Sequence, residues 1–228
     1  MIVDRVKLLL STQRALSWNV FPSLRAVCVE SSENSFYVGF YCDGAITDDE
    51  IEHCEDSLDD IFSDFSYLIE NEVGMVFETP IIRIDSPNPI SLKGDWVYYR
   101  HEIPSLKFKP FDLIGLQRSS LTNRVKLFLS TIYGLLGNVF PALRAICGES
   151  SEQHIYLCFY YDGEISHEDQ KLCENAIDSI KACWENLSEN EIMVEFDVFV
   201  IRVDYPKQMT LRGDWVYRRY EKSPEVVT

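Results

Sequence analysis

A chain of 228 residues with 46% hydrophobic residues and a formal net charge of −16 has the composition of a folded protein. It carries too much acid to suit nucleic acid, whose phosphates are bound through Lys and Arg. No stretch approaches the roughly 20 apolar residues of a membrane-spanning helix, and no basic-then-apolar opening suggests a secretory signal. The seven cysteines are odd in number, sit in apolar patterns and include no CxxC, so reduced, buried thiols and a cytoplasmic location are expected.

Residues 4–18 read as a helix, with Val6, Leu9, Leu10 and Leu16 on one side and Asn19 and Pro22 ending it. The segments LRAVCVE and SFYVGFYCD, rich in β-branched and aromatic residues, follow as two strands around an SSEN turn. Asp43-Gly44 closes the second strand. Thr47 and Glu50 form a capping box for a second helix, along which Ile51, Cys54, Leu58, Ile61, Phe65 and Leu68 keep a spacing of three or four. GMVFETPIIRID reads as a third strand bent at Pro80, and DWVYYRHE as a fourth.

The order then repeats. RVKLLLST at 5–12 returns as RVKLFLST at 124–131, and NVFPSLRAVC at 19–28 as NVFPALRAIC at 138–147. LKGDWVYYR at 92–100 returns as LRGDWVYRR at 211–219. At a constant offset of 119, 47 of the 98 positions from Arg5 to Glu102 are identical without a gap. Each unit is long enough to bury its own core. The expected fold class is α+β: two tandem α-β-β-α-β-β units, each an antiparallel sheet with its helices packed on one face. The expected domains are 1–102 and 124–228. Residues 103–123 between them hold Leu106, Phe108, Phe111, Leu113 and Ile114, too apolar for a free linker, and are expected to pack as a strap.

In the repeated motif, Gly94 and Gly213 supply a backbone angle other residues avoid, and Asp95 a local hydrogen bond. Trp96 and Tyr98 share a strand face, either as an aromatic docking surface or as core; core is the preferred reading. The alternation Arg83-Asp85, with Arg202-Asp204, is expected to pair with Arg100 or Arg219.

No Gly-rich phosphate loop and no GxSxG occurs. His53, His101, His154 and His167 have no histidine counterparts at the offset and no metal-ligand spacing, and are expected at the solvated surface. Neither an enzyme nor a cofactor or metal site is expected. The acid is uneven: residues 1–102 hold 7 Lys/Arg against 19 Asp/Glu, and residues 124–228 hold 11 against 17. The second helix of the first unit carries Asp48, Asp49, Glu50, Glu52, Glu55, Asp56, Asp59, Asp60 and Asp64 with no Lys or Arg. Its counterpart offsets Glu168, Asp169, Glu174, Asp178 and Glu185 with Lys171 and Lys181. Like charges three or four apart weaken a helix slightly, so their concentration points to steering of a basic partner. Asp48, Asp49, Glu52, Glu55, Asp56, Asp59, Asp60 and Asp64 are therefore the candidate partner-binding residues; the plain alternative is a solvated outer face.

The unit RVKLLLS…NVFPSLRAV…FYCDGAIT…RIDSPNPISLKGDWVYYR resembles small bacterial proteins of toxin-immunity loci, including contact-dependent growth inhibition immunity proteins, nearly end to end. The resemblance implies a cytoplasmic protein that binds one cognate toxin, often a nuclease, and blocks it, with no catalytic residues to carry over. A basic nuclease toxin would suit an acidic inhibitor. Two units depart from the single-unit pattern, and either one binds while the other braces it, or each meets a different partner. A reading of another class is a structural or adaptor module whose duplication mimics a homodimer. In both readings a monomer with an internal pseudo-dimer is expected.

Overall fold

A computed structural model describes residues 5–32, 35–66, 76–91, 93–102, 121–188 and 194–221; nearly all of the expected 103–123 strap lies outside them. The first unit runs α1 (Arg5–Leu16), β1 (Leu24–Ser31), β2 (Ser35–Cys42), α2 (Asp48–Asp64), β3 (Val76–Glu78), β4 (Ile81–Arg83) and β5 (Asp95–Tyr99). The second runs α3 (Asn123–Leu135), β6 (Leu143–Ser150), β7 (His154–Tyr161), α4 (His167–Leu187), β8 (Glu195–Arg202) and β9 (Asp214–Arg218). The chain is thus a tandem α+β duplication.

Local chemistry explains most boundaries. The Thr47–Glu50 capping box starts α2, and Ser166 with Asp169 repeats it on α4. Leu8, Leu9 and Leu16 of α1 and Cys54, Leu58 and Ile61 of α2 are buried in one apolar core that runs through both units. Phe65, just past α2, packs on Phe36 of β2 at 5.0 Å, and Trp184 of α4 meets Phe196 of β8 edge-on at 6.4 Å. In the second unit a smaller cluster of Ala145, Cys147, Cys158 and Tyr160 lies apart from that main core, with Met209 and Trp215 packed on it.

The expectation of a wholly antiparallel sheet is corrected at one edge. β1 pairs antiparallel with β2 and β5, and β6 with β7 and β9. β3 and β4 join β2 in parallel, and β8 joins β7 in parallel. The physical reason is that α2 and α4 are crossovers long enough to return the chain to the end where the previous strand began. The third strand breaks at Thr79-Pro80 in the first unit, as the proline suggested, and is continuous in the second.

The motif is core in the first unit, whereas in the second Trp215 is half-buried. Trp96 is 3% exposed and meets Tyr99 edge-on at 5.3 Å, which favours the core reading. Gly94 and Gly213 both have φ of +76°, and a Cβ there would stand 2.2 Å from a backbone oxygen of the neighbouring strand. Asp95 does not make the expected local hydrogen bond. It takes Arg5 in a two-point ion pair at 2.5 and 2.6 Å, tying the start of α1 to the start of β5, and Arg124 and Asp214 repeat this at 2.7 and 3.0 Å. Nor does Asp85 pair with Arg100: it closes on Arg83 at 2.8 Å and accepts the Gly44 amide at 2.8 Å.

Gly163 has φ of +71° but open space around its missing Cβ. Gly163→Ala should therefore lose about 1 kcal/mol of stability, from conformation alone. Gly213→Ala adds a backbone collision and should lose at least about 2 kcal/mol. Urea unfolding of the two variants checks this, and equal losses would contradict it.

Candidate functional site

The two units meet through reciprocal backbone contacts. The turn after α1 reaches past β9: Trp18 N–H donates to the Arg218 carbonyl at 3.0 Å, and Tyr220 N–H to Val20 at 2.8 Å. The turn after α3 does the same past β5, with Gly137 N–H to Tyr99 at 3.0 Å and His101 N–H to Val139 at 3.0 Å. Short parallel bridges join Val20 to Arg219 and Arg100 to Val139. The Gln13 amide of α1 also donates to the Val216 carbonyl of β9.

The pairing is not fully symmetric. Trp18 holds a φ of +81° where its counterpart is Gly137, and the Arg218 guanidinium lies against the Trp18 ring. Burial pulls the Arg218 pKa down. His53 packs on Tyr220 at 4.0 Å between centroids. His101 contacts the Gly137 carbonyl at 2.9 Å through Nδ1, and its Nε2 lies 3.7 Å from Glu168. The surface expectation thus fits His154 and His167 but is corrected for His53 and His101, which are half-buried at the junction.

Between the units lies a cavity of about 820 Å³, lined by related pairs: Val20 and Val139, Phe21 and Phe140, Tyr98 and Tyr217, Arg100 and Arg219. Its arginines are already engaged. Arg100 donates to Asp43 at 2.5 Å, to the Pro22 carbonyl at 2.9 Å and to Glu102 at 3.1 Å. Arg219 donates to Asp162 at 3.1 Å and to the Pro141 carbonyl at 2.6 Å. The cavity therefore offers mainly apolar and aromatic walls with little unpaired charge. Burial pushes the Tyr98 and Tyr217 hydroxyls well above their usual range.

Behind each of these arginines sits one that the sequence reading passed over. Arg25 is the extra residue of a β-bulge between Leu24 and Ala26, and Arg144 that of the matching bulge between Leu143 and Ala145. Their side chains are 1% and 2% exposed. Arg25 binds Glu102 at two points and donates to the Ile84 and Asn88 carbonyls. Arg144 repeats the set with Glu221, Val203 and Lys207. Burial alone would push the Glu102 carboxyl up, but hydrogen bonds and charge from Arg25, then Arg100, hold it below its usual range. The clue available in sequence was that both partners, Arg and Glu, recur at the offset.

The eight candidate acids all fall on α2. Asp48, Asp49, Glu52, Glu55, Asp56, Asp59 and Asp60 are exposed. Asp64 is not part of this face: its carboxylate takes Arg14 at 2.6 Å and Ser11 at 2.7 Å, bracing α2 against α1. Among the described residues, Asp48, Glu52, Glu55, Asp56, Asp59 and Asp60 form no ion pair. The matching face of α4 is partly neutralised by its lysines, and Lys181 lies 5.8 Å from the Phe196 ring centroid.

Among the described residues no group of three or more His, Cys, Asp or Glu side chains is arranged to hold a metal ion. All seven thiols are buried. Burial raises Cys42 and Cys54 to about 12, and Cys173 and Cys183 to about 11. Cys147 and Cys158 face each other across β6 and β7; a shared hydrogen bond lowers Cys158 and raises Cys147. No helix among the described residues is long and apolar enough to cross a membrane.

Compared with models of protein families, the chain matches the one described as MafI2 immunity protein twice, over residues 5–102 and over residues 124–221. No curated protein matches it.

Removing one partner of a buried ion pair strands the other charge, so Glu102→Ala should lose about 3 kcal/mol or more. The lowered Glu102 pKa gives a sign as well. Its contribution is complete above the ordinary value of 4.5 and is lost as pH falls through the folded value. Denaturant unfolding from pH 7 to pH 3 should show the wild-type chain losing stability below about pH 4.5. Glu102→Ala should lose less over that range, and parallel curves would refute the assignment.

Proposed function

The chain belongs to the MafI2 immunity protein family, and we propose that it neutralises one cognate toxin by stoichiometric binding through the acidic outer face of α2. The single observation behind this placement is the run of exposed carboxylates from Asp48 to Asp60, unrelieved by any Lys or Arg on that helix. Six of them form no ion pair among the described residues. Asp48 suits the positive end of the helix dipole, but the repulsion among Glu52, Glu55, Asp56, Asp59 and Asp60 slightly weakens the helix that carries them. Such a face fits a basic toxin domain, for instance a nuclease whose own substrate is a polyanion. Blocking of this kind needs no catalysis and no cofactor. Seven buried thiols suit a reducing compartment, so the proposed place of action is the cytoplasm.

Each exposed charge pair contributes little, about 0.2–1 kcal/mol, so the face acts mainly on the rate of encounter. The triple variant Asp56→Lys, Asp59→Lys, Asp60→Lys should slow association with the cognate toxin domain about tenfold or more at low salt. The difference should shrink at high salt as the charges are screened. Surface plasmon resonance at two ionic strengths measures both effects. Unchanged affinity at low salt would move the site elsewhere.

A further inference from the structure

Among the described residues, β8 is the outer strand of the second sheet, with β7 on one side and no strand on the other. Glu195 N–H donates to the Gln153 carbonyl at 2.9 Å, and Val203 N–H to Tyr161 at 2.9 Å. Odd-numbered residues therefore turn their backbone groups to β7, and Phe196, Val198, Val200 and Arg202 turn theirs outward. Phe199, Val200 and Ile201 are 45%, 44% and 38% exposed, three consecutive large apolar residues in the strand. The first unit does not offer this edge. Its counterpart is cut into three-residue pieces at Thr79-Pro80, and Pro80 occupies the place of Phe199. Pro80 has no N–H to give β2, so the strand is interrupted there; a short, interrupted edge is an ordinary protection against strand pairing, and the second unit lacks it.

We infer that β8 is a docking edge on which an extended segment of the toxin adds as a further strand, its basic side chains facing Glu195 and Asp197 and its apolar ones facing Phe199 and Ile201. This rests on the immunity reading above and adds a second contact to it. Charge decides between a foreign strand and a second copy of this chain. A two-fold antiparallel pairing of β8 with itself sets residues of like parity opposite each other. Both acids are odd-numbered and the strand's one cation, Arg202, is even, so no such register pairs them. Two chains of net charge −16 also repel. A strand whose same-face residues are basic toward one end and apolar toward the other meets neither obstacle, and main-chain hydrogen bonds would supply its affinity.

The test is amide hydrogen exchange on the full chain with and without its cognate toxin domain, together with affinities of three variants. Saturating toxin should slow exchange at Val198 and Val200 about tenfold or more. Val200→Pro removes one outward amide, and Asp197→Lys opposes the basic strand; each should weaken binding about tenfold or more. Val200→Thr, which keeps the amide, should stay within about threefold. If Val200→Pro misfolds by circular dichroism, Asp197→Lys and the exchange data still decide. Toxin that binds the wild-type chain without protecting these amides, or that binds Asp197→Lys undiminished, overturns the docking edge and leaves the immunity reading standing. Protection without toxin also overturns it: if it grows with protein concentration, a second copy covers the strand, and if it is constant, the chain covers its own edge. Failure of the toxin to bind the wild-type chain overturns both.

Discussion

A guanidinium almost shut off from water sits in each sheet, and much of the unit is arranged around keeping it satisfied. An isolated buried charge costs several kcal/mol. Arg25 avoids that cost by drawing together three separate stretches: the bulge of β1 that carries it, the carbonyls of Ile84 and Asn88, and the Glu102 carboxylate just beyond β5. Glu102 is then shared with Arg100, which reaches on to Asp43 and the Pro22 carbonyl. One buried charge thus fixes where β5 ends, where the turn after α1 lies, and how the cavity wall between the units is built. Arg144 and Glu221 impose the same order on the second unit.

The two copies are alike where this constraint acts and differ where it does not. The ion pair, the motif glycines and the Arg5–Asp95 link with its Arg124–Asp214 counterpart recur position for position. The outer face of the second helix and the outer strand of the sheet do not. Exposed positions away from caps, bulges and buried charges tolerate substitution within about half a kcal/mol. The junction shows an intermediate case. Its backbone contacts are reciprocal, but Trp18 over Arg218 and His53 against Tyr220 have no equivalents across the pseudo-two-fold axis.

Sequence reading succeeded where the cause is local. The capping box at Thr47 and the glycine before Trp96 are each decided by a few neighbouring residues and stand as read, while the bend expected at Pro80 is a full break between two strands. It failed where the partner is distant. Asp95 looked like a turn residue because its partner, Arg5, lies ninety positions away. The parallel edge is not legible locally, because an antiparallel sheet with helices on one face and a sheet with α2 as a crossover share the same order of elements. Arg25 was hidden in an apolar run, and only the matched recurrence of Arg and Glu at the offset marked it. His53 and His101 are half-buried because residues of the other unit, Tyr220 and Gly137, pack on them, which no pattern within one unit reveals. The acidic face of α2 was legible as charge, but Asp64 was counted with it because its place against α1 depends on helix packing.

Fusing two copies into one chain changes what a binding protein can do with its surface. A homodimer must present every feature twice, related by its axis. Here the tandem arrangement keeps the pseudo-two-fold packing while freeing one copy to accumulate acid and the other to open a sheet edge. The two features act over different distances. Carboxylates on an exposed helix are felt across roughly a Debye length, about 8 Å at physiological ionic strength. They bias approach without fixing geometry. Outward backbone groups act only within about 3 Å and only in register, so they fix geometry without guiding approach. In the proposed binding mode neither surface substitutes for the other. A charged helix alone would hold any basic protein weakly, and an open edge alone would pair with any extended strand. Selectivity for one toxin then comes from requiring both, at the spacing that the buried arginines and the reciprocal junction set.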